Sequence, residues 1–475
     1  MIFNSLSFIF FFVAVCSVQY LPLSWRTYKI VLVLFSYAFY AAWYPATILL
    51  LWVTTLFDWQ VAHAIERAGS ARRQKLLLVM SLTLNLSLLG VFKYADFLVE
   101  NVNALSTLLG ARQLLEAPSL PLPVGISFYT FMSLAYVIDV YRGRQKAGSS
   151  FLDFALFLTF YPHLVAGPIV RGQDFLPQCA TPRRANFQAM AWGASLIVLG
   201  LLQKVVLADS WFGPLADRVF TSANEGAVSA SDAWVGTLSF TGQILCDFSG
   251  YSTCAVGAAA CLGFRLPQNF RSPYAAIGLS DFWQRWHISL SSWLRDYLYI
   301  SLGGNRRGHL RTLFNLMLTM LIGGLWHGPS WTFVIWGGLH GLFLCGERGL
   351  RWLLGSRALI AGTLWRFCGW LSTFLLVSWS WVFFRAGSFG TASRMTQALL
   401  GLSPTHTSSV LRTDALVALL GIAGLLLAHR LTRDVGLEYR IDRAPRWVFV
   451  GGLACALIAI VTMAGQDRAF IYFQF

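Results

Sequence analysis

The chain has 475 residues, of which 56% are hydrophobic and 12% charged, about half the roughly 25% charged share of a soluble domain. That composition excludes an ordinary water-soluble domain. A net charge of +15 raises the question of nucleic acid. However, the basic residues sit in short loops between apolar runs: Arg67, Arg72, Arg73 and Lys75; Arg142, Arg144 and Lys146; Arg306, Arg307 and Arg311. The positive-inside bias and attraction to anionic lipid heads produce that pattern, so no nucleic-acid partner is expected.

In chain order, the opening Met1-Ile2-Phe3-Asn4 lacks a basic leader, and no small-residue cleavage site follows the first apolar run, which reads as a retained helix. Further runs are Ile30–Tyr44 continuing into Ala46–Val61, Leu76–Phe92, Phe151–Val170, Ala191–Leu207 and Trp447–Met463. Such stretches approach the roughly 18 to 25 residues that carry a helix across a bilayer. Lipid leaves no partner for open backbone groups, and continuous apolarity without a two-residue alternation excludes a closed barrel. The expected fold is all-α: a polytopic membrane helical bundle with about 11 transmembrane helices, forming one domain over residues 1–475. Residues 101–122 and 221–231 and Ser403–Thr413 are the expected extramembrane loops. The eight cysteines are scattered singly, with no CxxC or CxxH unit, so neither a metal site nor a disulfide framework is expected.

One stretch departs from the pattern. From Arg265 to Arg311 the chain is neither a long apolar run nor a polar linker. Within it Phe282, Trp286, Trp293 and Tyr297 recur at roughly helical spacing, and Asp281 and Arg285 stand four apart. Two readings are open. One is an amphipathic connector lying on the membrane surface; the other is a re-entrant element, tolerated at depth only where protein or water surrounds it.

Histidine is the side chain best suited to take and return a proton near neutrality. Of the eight, His63, His309, His406 and His429 adjoin charged or loop residues and are expected to be solvated. His163 lies where Pro162 and Pro168 break an apolar run, and His340 is expected to bond a neighbouring helix. His327 stands in Gly323-Gly-Leu-Trp-His-Gly-Pro-Ser-Trp331, between the apolar runs Leu313–Ile322 and Trp331–Leu344. An ionisable group at that depth is costly, so function is the first hypothesis; a neutral histidine joining two helices is the alternative. The flanking glycines suggest local unwinding around it. His287 is the second candidate, and Asp247 is an intramembrane carboxylate, open to a functional role or to one as the buried partner of an arginine or as a helix cap. The His429…Asp434 spacing lacks supporting context, and no Gly-x-Ser-x-Gly, Walker or HExxH motif occurs.

The ordered motifs resemble the membrane-bound O-acyltransferase superfamily, in particular its bacterial alginate O-acetyltransferase branch. They are Val124–Phe131 through Tyr136–Arg142, Pro162–Pro168, Asp247–Tyr251, Asp281–His287, Leu290–Tyr297, Gly324–Gly328, Trp381–Ala386 and Phe470–Phe475. The resemblance covers essentially the whole chain, with a signature core at about residues 120–345. It implies a ring of helices around a thinned centre, with a funnel and tunnel meeting near the histidine. It also implies that His327 is the catalytic base and His287 the second signature position, orienting the donor or polarising its carbonyl.

Further expectations follow from the resemblance. No cofactor is bound; acetyl-CoA or another acyl thioester is the donor substrate, and no metal takes part. Asp247, Trp326, Arg306 and Arg307 are candidate substrate or donor contacts, the two arginines pairing with phosphate. The reaction is acetyl transfer across the inner membrane to an exported, alginate-like polysaccharide, through a periplasmic acetyltransferase or an export complex. Alternatives are D-alanyl or other acyl transfer to an envelope polymer and, from a different class, a secondary transporter. Transporters often show paired repeats with matching broken helices, and no internal repeat is visible in this chain.

Overall fold

The computed structural model describes residues 3–148, 150–354, 362–403, 408, 410–435, 443, 445–463 and 470–471. His406 and the closing residues 472–475 of the last motif lie outside them, as does part of the expected loop Ser403–Thr413. Among the described residues every regular element is a helix. Seven helices are long and apolar enough to cross a membrane. The chain is a multi-pass membrane protein. It divides into two compact units, Met1–Ala194 with Ala255–Pro267, and Ser195–Cys254 with Gln268–Phe475.

The first unit contains α1 (Leu6–Val18), α2 (Trp25–Ala41), α3 (Ile48–Arg67), α4 (Ala71–Leu108), α5 (Ile126–Tyr141), α6 (Phe151–Thr159), α7 (Tyr161–Leu164) and α8 (Gly172–Ala180). Four of these begin at a serine whose hydroxyl accepts a backbone N–H of the first turn: Ser5, Ser24, Ser70 and Ser150. Such caps satisfy donors that a helix start leaves open. The expected loop 101–122 is shorter than the sequence suggested, because α4 continues to Leu108 through a π-helical turn at Gly90–Tyr94. Pro162 and Pro168 do break the apolar run Phe151–Val170, and the irregular backbone there is wholly enclosed by protein.

Asp58 of α3 ties three helices together. It accepts hydrogen bonds from Ser81 (2.6 Å) and Asn85 (2.8 Å) of α4 and from Ser133 of α5. Asp58, Ser81 and Ser133 each lie eight to ten residues from one end of their helix. Those ends therefore sit at a common level, and they carry the Arg67–Lys75 and Arg142–Lys146 clusters.

Two helices belong partly to each unit: α9 (Phe187–Asn224), which widens into a π-helix over Leu202–Phe212, and α10 (Ala230–Cys261). The second unit continues with α11 (Leu279–Trp283), α12 (Ile288–Trp293), α13 (His309–His327), α14 (Trp331–Leu354), α15 (Thr363–Arg385), α16 (Phe389–Leu399), α17 (Arg412–Thr432) and α18 (Arg446–Met463). The expected loop 221–231 narrows to residues 225–229 between α9 and α10.

In this unit α13 and α14 make backbone contact. A Cβ on Gly324 would meet the Phe333 carbonyl oxygen at 2.3 Å, and one on Gly337 would meet that of Met320 at 2.3 Å. The glycines beside His327 thus serve close packing, and α13 stays helical through His327 instead of unwinding. It stops there because Gly328 precedes Pro329, and a residue before proline is driven to extended backbone; Gly328 has φ −165° and ψ 154°.

Candidate active site

The segment from Leu279 to Gly308 dips into the second unit and returns. Going in, it follows α14: Ser280 N donates to Glu347 (3.0 Å), Trp283 packs on His340 (5.1 Å between ring centres), and His287 reaches His327, whose ring lies 5.0 Å from that of Trp336. From Glu347 to Trp336 is eleven helical residues, about 16 Å at the rise of an α-helix. Coming back, it follows α13: Leu294 lies against Gly323, and Asn315 Nδ2 donates to the Gly304 carbonyl (2.9 Å). Phe282, Trp286, Trp293 and Tyr297 are all buried. Of the two readings open in the sequence, the structure carries the inserted element. The piece is not a single amphipathic helix, because the chain breaks between α11 and α12 with His287 in the left-handed region, φ 43° and ψ 55°. That conformation costs an L-residue about 1–2 kcal/mol and persists only where neighbours impose it.

The neighbour that imposes it is Asn269. Its backbone carbonyl accepts the N–H of Ile288 (2.9 Å), and its Oδ1 accepts the N–H (3.1 Å) and the hydroxyl (2.9 Å) of Ser289. The same oxygen lies 3.3 Å from His287 Nδ1. Because the Ser289 N–H identifies that atom as the acceptor oxygen, His287 Nδ1 must be the donor. The proton of a neutral His287 is therefore on Nδ1, and Nε2 presents a lone pair. Nε2 is buried and accepts no hydrogen bond among the described residues, and Asn269 Nδ2 is likewise buried with no acceptor.

Around this corner the two imidazoles meet inside an aromatic wall. The ring centres of His287 and His327 are 6.4 Å apart. Trp326 lies 5.0 Å from His327 and 5.9 Å from His287. Phe384 stands 5.4 Å from His327, and Phe248 4.6 Å from His287 on its other flank. Both histidines are nearly or fully buried. Two buried imidazoles ringed by aromatic side chains suit proton transfer between bound reactants better than hydrolysis.

The chain as a whole is similar to known acyltransferases. The model of the MBOAT, membrane-bound O-acyltransferase family, matches residues 141–385. A probable alginate O-acetylase AlgI of Azotobacter vinelandii is 41% identical over 442 residues, covering 92% of this chain and 85% of the relative. The chain belongs to the membrane-bound O-acyltransferase family. A peptidoglycan O-acetyltransferase of Helicobacter pylori is 37% identical over 85% of this chain and 80% of its own length. A teichoic acid D-alanyltransferase of Streptococcus thermophilus is 28% identical over 46% of this chain and 55% of the relative. The protein is an O-acyltransferase.

Within the acyltransferase, the residues singled out from sequence divide into two groups. His287, His327 and Trp326 are brought together. Asp247 is one residue from Phe248 in α10, but its carboxylate is committed elsewhere: Lys204 lies 2.6 Å away, and the backbone N–H of Ile471 donates to it at 2.8 Å. Lys204 also pairs with Asp209 at 2.9 Å, five residues on, a spacing that the π-helical stretch of α9 brings to one face. Arg306 and Arg307 are exposed just before α13, whereas His327 ends that helix, about 28 Å away along its axis.

Other histidines among the described residues have structural partners. His340 meets the Ser380 hydroxyl at 2.9 Å, as expected of a helix-to-helix bond, and His163 donates to the Phe157 carbonyl at 2.8 Å. His429 is not simply solvated: its Nδ1 accepts the backbone N–H of Tyr274 at 3.2 Å. Asp281 holds the mouth of the inserted segment through Arg285 (2.6 Å), Arg433 (3.0 Å) and the N–H of Ile277 (2.9 Å). Burial raises its pKa, but these donors outweigh that and hold it below the usual carboxylate value. Asn269 was missed in the sequence. Its signal was an amide between Pro267 and Phe270 in an apolar chain, where it must find partners.

Proposed function

We propose that this acyltransferase moves an acetyl group from a cytosolic thioester donor, acetyl-CoA, across the inner membrane for O-acetylation of an exported, alginate-like polysaccharide. The transfer runs through a periplasmic acetyltransferase or an export complex. The observation that carries the reading is the buried pair His287 and His327 within one cluster of aromatic rings, taken with the 41% identity to a probable alginate O-acetylase. In this reading His327 Nε2 or Nδ1 takes the proton of the acceptor hydroxyl as its oxygen attacks the thioester carbonyl. The C–S bond then breaks, and the thiolate leaves with the proton held by His327. With its lone pair on Nε2, a neutral His287 has no proton there to donate to the carbonyl. It instead steadies the imidazolium of His327, across a separation that one water can bridge. Asn269 Nδ2 supplies a donor for the developing oxyanion.

The ends of the helices support a direction. In the second unit Arg271, Arg306, Arg307, Arg311, Arg348, Arg351, Arg366, Arg430 and Arg433 lie at the end where the inserted segment begins. The opposite end carries matched pairs such as Arg385 with Asp217 and Arg218 with Asp414. The positive-inside bias puts the arginine-rich end in the cytosol, so the donor enters along the inserted segment.

The test uses membranes containing the full chain and labelled acetyl-CoA. His327→Ala is expected to lower label transfer by about 10²–10⁴-fold with unchanged abundance, and His287→Ala to lower it less. Full transfer by His327→Ala would remove it as the base. A requirement for an acyl-carrier protein in place of acetyl-CoA would favour D-alanyl transfer. Label appearing on peptidoglycan would favour the acceptor named for the Helicobacter relative.

A further inference from the structure

A cavity of about 430 Å³ opens between α15, α17 and the 275–277 loop of the second unit, with neither His287 nor His327 in its lining. Three arginines reach it, Arg366 from the first turn of α15 and Arg430 and Arg433 from the last turn of α17 and the residue after it. The rest of its wall is mostly apolar, including Phe367, Trp370 and Leu427. Arg433 spends one nitrogen on Asp281, while its Nε is buried with no acceptor. Arg366 and Arg430 are exposed and make no ion pair among the described residues.

We propose that this cavity binds one phospholipid with an anionic headgroup, the phosphate on Arg366 and Arg430 and the acyl chains along α17. Three observations on charge and surface support it. Guanidinium groups from two helices converge without matching carboxylates, and arginine pairs with phosphate through two parallel donors. Among the described residues the carboxylate engaged there is Asp281, which is already shared between Arg285 and Arg433. The surface that continues outward from the cavity is apolar: Leu427 is 60% and Phe367 53% exposed, and the most apolar window of α17 is only 11% buried. A soluble phosphate ligand would leave that hydrocarbon surface uncovered, whereas a phospholipid covers both parts. The arginine-rich end is the one facing the anionic leaflet under the positive-inside bias, and basic pockets between helices on that side recruit such lipids. The site also adjoins the ion pairs that hold the mouth of the inserted segment, so an occupied cavity braces Arg433 against Asp281.

The experiment is lipid retention by the full chain, purified in detergent and exposed to vesicles of phosphatidylglycerol or of phosphatidylcholine, with bound lipid counted by native mass spectrometry. Wild type is expected to retain phosphatidylglycerol selectively. Selectivity should fall roughly fivefold for each arginine removed in Arg366→Ala and Arg430→Ala. It should persist in the Arg366→Lys/Arg430→Lys variant, which guards against misfolding. Equal retention of the two lipids, or undiminished selectivity in the double alanine variant, overturns the proposal. So does displacement of the bound lipid by soluble adenosine 3′,5′-bisphosphate, which would reassign the cavity to the donor's phosphates.

Discussion

The side-chain oxygen of Asn269 sets the tautomer of His287, eighteen residues further along the chain. The same amide group holds Ser289, so one residue fixes both the backbone corner and the proton position of the imidazole. Asn269→Ala should therefore lower the turnover number about 10²-fold, the scale of a misplaced reacting group, while the donor KM changes little. Asn269→Asp keeps an acceptor at the Oδ1 position and should restore part of the rate. An equal loss in both variants, with both folded, would show that the amide is needed for something other than the proton on Nδ1.

Backbone contact between α13 and α14 makes a second prediction. Gly324→Ala places a methyl 2.3 Å from the Phe333 carbonyl oxygen, which must move with its helix. Overpacking of this kind costs about 1–3 kcal/mol or more. The expected outcome is a lower melting temperature in detergent and reduced accumulation in the membrane. Gly346→Ala, where nothing lies within 4 Å, should be neutral or slightly stabilising.

Lys204 is the cation between two buried carboxylates, Asp209 and Asp247. Lys204→Met removes the cation that both acids share, a change worth about 3–5 kcal/mol for a buried pair. Asp247→Asn, by contrast, keeps an acceptor for the Ile471 N–H and leaves Lys204 paired with Asp209. Thermal unfolding should rank the variants wild type, Asp247→Asn, Lys204→Met, in decreasing stability.

Acid should loosen the mouth of the inserted segment. The folded-state pKa of Asp281 is held below its ordinary value, so its contribution is present above roughly pH 4, the unfolded value, and disappears as pH falls through the folded one. Asp281→Asn should lower the melting temperature at pH 6 by the loss of charged hydrogen bonds, about 1–3 kcal/mol. It should also flatten the decline below pH 4. Parallel wild-type and variant curves across that range would count against the assignment.

The bundle and the end of α13 were legible in the sequence for local reasons. Apolar runs specify helices in lipid, and Gly328-Pro329 stops a helix wherever it occurs. The break at His287 was not legible, because Arg285-Trp286-His287-Ile288 contains neither glycine nor proline. Its cause is the pairing of Asn269 with Ile288 and Ser289, a contact that spacing does not reveal. Helical periodicity at Phe282, Trp286, Trp293 and Tyr297 suggested one continuous helix, whereas burial on all sides is what those four residues have in common. The π-helical stretch of α9 was equally hidden, since Lys204 and Asp209 make sense as partners only once the helix is widened.

The contact between Gly324 and Gly337 bears on how an acyl group can cross this protein. Helices touching through their backbones cannot rock past one another without a collision, so α13 and α14 form a single rigid plate with His327 at its edge. The inserted segment opposite this plate is held to its surroundings at its mouth by the ion pairs of Asp281. Under the proposed function, acyl transfer would then be a relay past a fixed edge instead of the swing of a moving gate.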